Sequence, residues 1–178
     1  MINLGDTAAD FNLTDVISGK NISLSDFKDS KALLIIFMCN HCPYVKHVEN
    51  EIANIANDYK DQGLSVVGIS ANDAVEYPDD SPEKLKEQAE RLDFNFPYLY
   101  DEDQTVAKAY GAKCTPDPFL FDNDKSLVYR GQFDDSRPGN DIPVSGSDLR
   151  TAIQAVLNNS PVDQNQKPST GCSIKWKE

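Results

Sequence analysis

The stretch LLIIFMCNHCPYV, residues 33–45, decides the fold and points to the chemistry. Its first six residues are all apolar, which indicates a strand buried on both faces of a sheet. The apolar run ends at Cys39, and a helix is predicted from Pro43 onward. Cys39 and Cys42 are separated by two residues at this junction, so they can close a disulfide across one turn. The sequence therefore points first to thiol–disulfide chemistry.

Cys39 is the candidate attacking thiolate of this turn. A helix start favours a thiolate, because its N–H groups are unpaired and the helix dipole is positive there. The sequence therefore predicts that Cys39 has a lowered pKa and is the more exposed of the two thiols, and that Cys42 resolves the mixed disulfide. His41 lies between them, where an imidazole donor or cation would stabilise the thiolate. The alternative for His41 is an exposed polar turn residue.

Composition and charge exclude several classes of protein. The chain has 178 residues, which fits one domain with a sizeable core, and its net charge of −12 repels nucleic-acid phosphates. The acidic pairs at 79–80 and 134–135 are interpreted as solvated charge. No apolar run is long enough to span a membrane, so no membrane contact is expected. The N-terminal residues lack the basic flank and apolar core of a signal peptide, so we expect a cytoplasmic protein.

Strands alternate with helices along the chain, which predicts an α/β fold with a parallel core. We expect one domain over residues 1–158 and a polar C-terminal tail over residues 159–178. Ile174 and Trp176 are expected to dock that tail. The predicted elements are a hairpin over 11–24, strands over 33–38, 64–70, 97–100, 119–121 and 127–129, and helices over 43–59, 82–92, 101–110 and 147–158.

Four segments together resemble the thioredoxin superfamily, specifically the redoxin branch that holds the peroxiredoxin-like and TlpA-like proteins. They are an opening motif over residues 4–15 with Ala9 in place of the usual proline, its continuation over 19–27, the CxxC turn at 39–43, and a proline loop over 110–122. The ending over 167–177 is similar to a redoxin subgroup with a CNHCPYV-type turn. The resemblance implies a thioredoxin-like sandwich, with a central mixed sheet flanked by helices and an N-terminal hairpin.

The resemblance also implies roles near the proline loop. Pro116 aligns with the cis-proline of the superfamily, and the backbone of Thr115 would pair with a bound peptide or partner strand. Cys114 is either a buried small side chain or an accessory redox thiol. Cys172, in the tail, is either an incidental exposed thiol or a resolving thiol, and we favour the first.

The function predicted from the sequence is thiol–disulfide exchange by a cytoplasmic oxidoreductase without a cofactor. Its partners would be protein or small-molecule disulfides and thiols, with an electron donor that the sequence does not identify. A thiol peroxidase is the first alternative. Peroxiredoxins carry a PxxxTxxC motif, however, and counting back from Cys39 places Ile36 and Ala32 at the threonine and proline positions. The hydroxyl that would orient peroxide is therefore missing from this segment.

A metal-binding protein is the second alternative. Cys39 and Cys42 could supply two ligands, with His41 or His47 as a third. The sequence offers only these two histidines, and a closed metal site commonly needs four ligands. We therefore expect no metal at the CxxC turn.

Overall fold

The computed structural model describes residues 2–178 as a mixed α/β fold. Its strands are β1 (Asn12–Asp15), β2 (Asn21–Ser23), β3 (Ala32–Phe37), β4 (Leu64–Ser70), β5 (Tyr98–Tyr100), β6 (Cys114–Thr115), β7 (Asp117–Phe121), β8 (Leu127–Arg130) and β9 (Cys172–Ser173). Its α-helices are α1 (Pro43–Tyr59), α2 (Pro82–Arg91), α3 (Thr105–Tyr110) and α4 (Ser147–Leu157). Seven strands form one sheet in the order β2-β1-β5-β4-β3-β7-β8, and β6 pairs separately with β9.

The strand β3 lies at the centre of this sheet, and all six of its residues are buried. It runs parallel to β4 and antiparallel to β7, which makes the sheet mixed. Alternate residues of β3 enter two apolar clusters: Leu34 and Ile36 pack with α1, α2 and α4, and Leu33 and Ile35 pack with α3. Helices therefore cover both faces, and the predicted sandwich with its central strand and N-terminal hairpin is confirmed.

The register between β3 and β7 brings the CxxC turn and the proline loop together. Phe37, the last residue of β3, lies opposite Asp117, the first residue of β7. The chain leaves β3 toward Cys39 at the same end of the sheet where it enters β7 from Thr115 and Pro116. The turn and the loop thus meet at one edge although they lie more than seventy positions apart in the sequence.

The C-terminal tail packs along the domain rather than leaving it. Its strand β9 pairs antiparallel with β6, and Ile174 is buried. Trp176 stays 41% exposed, with Lys108 over its ring, so the prediction that both apolar residues dock the tail is half right. Across residues 2–178, the structure contains no helix with the length and apolar character needed to cross a bilayer.

Candidate dithiol site

Thr115 joins the two cysteines of the turn to the proline loop. Its hydroxyl oxygen lies 3.4 Å from Cys39 Sγ, and its carbonyl oxygen lies 3.4 Å from Cys42 Sγ. The peptide bond between Thr115 and Pro116 is cis, as the resemblance implied. The structure therefore brings four of the predicted site residues into one cluster, with both sulfurs facing the same side chain and backbone.

Both thiols of the CxxC turn are buried. Cys39 and Cys42 are each 0% exposed, and neither is in a disulfide. The prediction that Cys39 is the more exposed thiol is therefore wrong for this conformation. The turn is buried by tertiary contacts, because the proline loop covers it from one side and the C-terminal tail covers it from another.

A hydrogen bond between the two sulfurs separates their acidities. It raises the pKa of Cys39, and burial and the negative charge of Asp80 raise that pKa further. The same bond lowers the pKa of Cys42 to about 4 despite burial. Cys42, not Cys39, is the N-cap residue of α1, and a backbone N–H of the first turn also stabilises its thiolate. These directions run against the prediction of a lowered pKa for Cys39 and favour the thiolate at Cys42, the residue at the start of α1.

Asp80 caps the CxxC turn from the loop before α2. Its Oδ1 accepts hydrogen bonds from the backbone N–H groups of Asn40 and His41, at 2.7 and 3.0 Å. Its Oδ2 accepts a bond from the Asn72 side chain at 3.0 Å and pairs with His41 Nδ1. The Asp80 side chain is completely buried, so it fixes the turn without contact to solvent. Sequence reasoning missed this residue, because it read positions 79–80 as solvated acids.

His41 is held in place rather than exposed to solvent on all sides. Its ring pairs with Asp80 and stacks on Tyr77, with ring centroids 5.2 Å apart. One ligand atom each from Cys39, His41 and Asp80 lies within 4.8 Å of the others. His41 therefore lies close to the Cys39 thiol, as predicted, and the Asp80 carboxylate lies close to both. His47 bonds Ser136 and is absent from this cluster.

A buried polar network supports the turn from below. Gln88 on α2 donates one hydrogen bond to the carbonyl oxygen of Cys39 at 3.1 Å and another to Glu49 at 3.0 Å. Its own oxygen accepts a bond from the Tyr98 hydroxyl at 2.9 Å. Each of these groups is buried, and buried polar groups need such partners. The network ties α1, α2 and β5 to the first cysteine, and no sequence signal indicated it.

Cys114 occupies a separate environment from the pair. Its sulfur contacts the Ser169 hydroxyl at 3.5 Å and the Pro116 carbonyl oxygen at 3.8 Å. Burial, with the charge of Asp117, raises the pKa of Cys114 to about 11. These contacts favour the first of the two predicted alternatives, a buried small side chain.

Cys172 lies against the dithiol pair. It is half-buried, packs on the apolar cluster that contains Cys42, and lies opposite Thr115 in the pairing of β6 with β9. Burial first, and then Cys42, raises the pKa of Cys172 to about 11. The interpretation of Cys172 as an incidental exposed thiol does not fit this position.

Comparison with known proteins defines the family. The model of the AhpC/TSA family matches residues 4–130, which is most of the chain. The chain belongs to the AhpC/TSA family. This redoxin family lies within the thioredoxin superfamily, and the predicted opening motif, CxxC turn and proline loop all fall inside the matched residues.

The relatives of this redoxin include proteins named as thiol-disulfide oxidoreductases and proteins named as peroxiredoxins. A thiol-disulfide oxidoreductase ResA from Geobacillus kaustophilus is 32% identical over 123 residues, which cover 68% of this chain and 64% of that protein. The peroxiredoxin Bcp of Escherichia coli is 30% identical over 110 residues, which cover 62% of this chain and 65% of that protein. The chain thus spans less than two thirds of the length of the curated relatives it matches.

The resemblance to solved structures extends over nearly the whole chain. The crystal structure of an uncharacterized conserved protein from Geobacillus kaustophilus is 56% identical, has a TM-score of 0.97, and aligns over 99% of this chain and 94% of its own. The alignment includes the tail, so that protein shares the docked C-terminal segment as well as the redoxin fold.

Proposed function

We propose that this redoxin is a thiol–disulfide oxidoreductase whose CNHCPYV turn cycles between the Cys39–Cys42 dithiol and its disulfide. The observation that carries the proposal is the contact of both sulfurs with one residue, since Cys39 Sγ and Cys42 Sγ each lie 3.4 Å from an oxygen of Thr115. The lowered pKa of Cys42 provides a thiolate near neutral pH. Its partners are protein or small-molecule disulfides and thiols, together with an electron donor.

His41 has a tuning role in this proposal. As a cation, it would favour a thiolate in the turn and so raise the reduction potential of the pair. Asp80 opposes that effect, because its charge raises the pKa of Cys39 and its carboxylate pairs with the His41 ring. The potential therefore depends on the His41–Asp80 pair as a unit.

A thiol peroxidase is the second candidate, and one contact favours it. The hydroxyl missing upstream of Cys39 in the sequence is supplied in space by Thr115, 3.4 Å from the Cys39 sulfur. The charge around that sulfur argues against a peroxidase. Peroxide reduction needs a Cys39 thiolate, and the negative charge of Asp80 raises the pKa of Cys39. We therefore rank disulfide exchange above peroxide reduction.

Catalytic amounts of protein should accelerate the reduction of insulin disulfides by dithiothreitol and leave peroxide consumption near background. The reason is that two adjacent cysteines can exchange disulfides, whereas the raised pKa of Cys39 leaves little Cys39 thiolate to react with peroxide. Both rates are measured under identical conditions, with the Cys39→Ser, Cys42→Ser double variant as background. Peroxide consumption well above that background, with insulin reduction at background, would reverse the order of the two candidates.

A metal site is the third candidate, because the cluster of Cys39, His41 and Asp80 provides three ligand types at one point. The carboxylate and the ring already satisfy one another, and the turn's N–H groups occupy the other carboxylate oxygen. Protein purified in reduced form without chelator should therefore contain far less than one equivalent of zinc or copper by elemental analysis. One metal per chain that disappears in the Asp80→Asn variant would establish the metal site instead.

A further inference from the structure

The tail strand lies where a thiol can reach the dithiol pair. In the antiparallel pairing of β6 with β9, Cys172 is directly opposite Thr115. Residues opposite one another project to the same face of a sheet. Thr115 contacts both sulfurs of the pair, and Cys172 packs against the apolar cluster that contains Cys39 and Cys42.

Gly171 allows the tail to approach this closely. A Cβ atom at position 171 would lie 2.1 Å from the carbonyl oxygen of Thr115 and 2.7 Å from its carbonyl carbon. Both are backbone atoms, so no side-chain adjustment would relieve the overlap. The neighbouring thiol at position 172 is held by this contact. The tail is further anchored through Asn72, which accepts a hydrogen bond from the Lys175 N–H and donates one to Asp80.

The four cysteines differ in how exposed they are to a disulfide in solution. Cys39, Cys42 and Cys114 are buried, and Cys172 is partly exposed. While the tail is docked, a disulfide in solution can therefore meet Cys172 but not the pair. A tail that merely covered the site would need no sulfur at this position.

We propose that Cys172 is a relay thiol that passes electrons between external disulfides and the buried Cys39–Cys42 pair. This inference rests on the proposed function and adds its route of access. The external partner class is a disulfide small or extended enough to reach the half-buried position beside Thr115.

The relay is a sequence of three exchanges. Cys172 attacks the external disulfide, its proton passes to the Cys42 thiolate, and one external thiolate leaves. Cys42 loses that proton to the departing thiolate and attacks the Cys172 sulfur, so the Cys42–Cys172 bond forms and the second external sulfur leaves. Cys39 then attacks Cys42, its proton passes to Cys172, and the Cys39–Cys42 disulfide forms. Two electrons move from the pair to the external disulfide, which becomes two thiols, one of them ionised.

The charges in the resting site suit the first two exchanges. The lowered pKa of Cys42 makes it the thiolate, and the raised pKa of Cys172 keeps it protonated beside that thiolate. The Cys42 thiolate can therefore accept the Cys172 proton, and Cys42, which must attack Cys172 next, belongs to the cluster on which Cys172 packs.

Adduct mapping tests which cysteine meets the partner. The reduced Cys42→Ser variant is mixed briefly with oxidised glutathione at alkaline pH, where the buffer takes the Cys172 proton in place of Cys42, and the glutathione adduct is located by peptide mass spectrometry. The relay predicts that the adduct forms on Cys172. An adduct on Cys39 with Cys172 unmodified would overturn it, because the external disulfide would then reach the pair directly.

A second pair of variants separates a relay from a simple cover. Gly171→Ala displaces the tail but keeps all four sulfurs, and Ser173→Ala, at an exposed neighbouring position, serves as the matched control. Formation of the Cys39–Cys42 disulfide with oxidised glutathione should slow in Gly171→Ala and Cys172→Ser but not in Ser173→Ala. Faster formation in Gly171→Ala would show that the tail only blocks the site, and would overturn the relay.

The intermediate of the relay can be sought without turnover. In Cys39→Ser the last exchange cannot occur, so mild oxidation should leave a Cys42–Cys172 disulfide. Two separate glutathione adducts on these residues would contradict the relay. The outcome for wild-type protein keeps the two proposals apart: if it forms the Cys39–Cys42 disulfide while these tests fail, only the relay falls, and if it never forms that disulfide, the proposed function falls.

Discussion

Replacing Cys42 with serine is expected to reduce insulin-reductase activity to the level measured without protein. Cys42 is the member of the pair with the lowered pKa; it bonds Thr115 and shares one cluster with Cys39 and Cys172. A serine hydroxyl cannot accept or pass on a disulfide bond. The variant can still form a mixed disulfide with a substrate, but it cannot close either intramolecular disulfide that would release the product.

Cys114→Ser is the matched control for this loss. It removes another buried thiol by the same substitution, two residues from the cis-proline, where the sulfur contacts Ser169 and not the pair. Its activity should stay close to that of the wild type, and both variants should unfold at similar temperatures. Substantial reductase activity in Cys42→Ser would mean that a disulfide involving Cys42 is not part of the reaction.

Replacing Asp80 with asparagine is expected to cost about 3 kcal/mol of stability and to make Cys39 more reactive. The carboxylate accepts bonds from two backbone N–H groups and the Asn72 amide, and it pairs with the His41 ring. The asparagine side chain has only one acceptor oxygen, so its NH2 group would face one of the donors that now bond the Asp80 carboxylate. Each hydrogen bond to a charged group contributes about 1.5–3 kcal/mol, and an unsatisfied buried group costs a similar amount.

The change in Cys39 reactivity follows from the charge that is removed. Asp80 is one of the causes, after the Cys42 hydrogen bond and burial, that raise the pKa of Cys39. Without that charge, the Cys39 thiolate forms at lower pH, provided that the turn keeps its shape.

Urea denaturation of the reduced protein and the pH dependence of Cys39 alkylation measure the two effects of Asp80→Asn. Asp79→Asn is the control, because it removes the same charge one residue away on an exposed side chain. Equal stability of the two variants would contradict the role of Asp80 as the cap of the turn.

The central part of the fold could be predicted from the sequence because its signals are local. The apolar run of β3, the period of α1 and the Ser81–Pro82 start of α2 each indicate an element without reference to distant residues, and the Ser81 hydroxyl does accept a bond from the Lys84 N–H. The order of the segments then identifies the superfamily. The positions of Cys39, Cys42 and the cis-proline loop follow from that arrangement.

The groups around the cysteines could not be predicted in this way, because their roles arise from tertiary contacts. Asp79 and Asp80 are identical in type and adjacent in sequence, yet one is exposed and the other is completely buried at the turn. The pair at 134–135 repeats this pattern: Asp134 is buried and accepts bonds from the loop before α4. Charge pairs alone do not show which member is solvated.

The tail shows a second limit of sequence patterns. The strands β6 and β9 have two residues each, too few for any periodicity, and their pairing joins segments more than fifty residues apart. The start of α1 at Pro43 was predicted correctly, and it makes Cys42 the N-cap residue. The acidity of Cys39 could not be predicted from that boundary, because Asp80 and the burial of the turn depend on tertiary contacts.

The measurement that tests the central claim most directly is a redox titration of the wild-type protein in glutathione buffers, with the state of each cysteine read by differential alkylation and peptide mass spectrometry. Cys39 and Cys42 should pass together from two alkylated thiols to one intramolecular disulfide over a single transition, and the change should reverse on reduction. If both stay alkylatable across the whole range, or if either accumulates only as a sulfinic or sulfonic acid, the pair is not a dithiol–disulfide couple and the proposed oxidoreductase function is wrong.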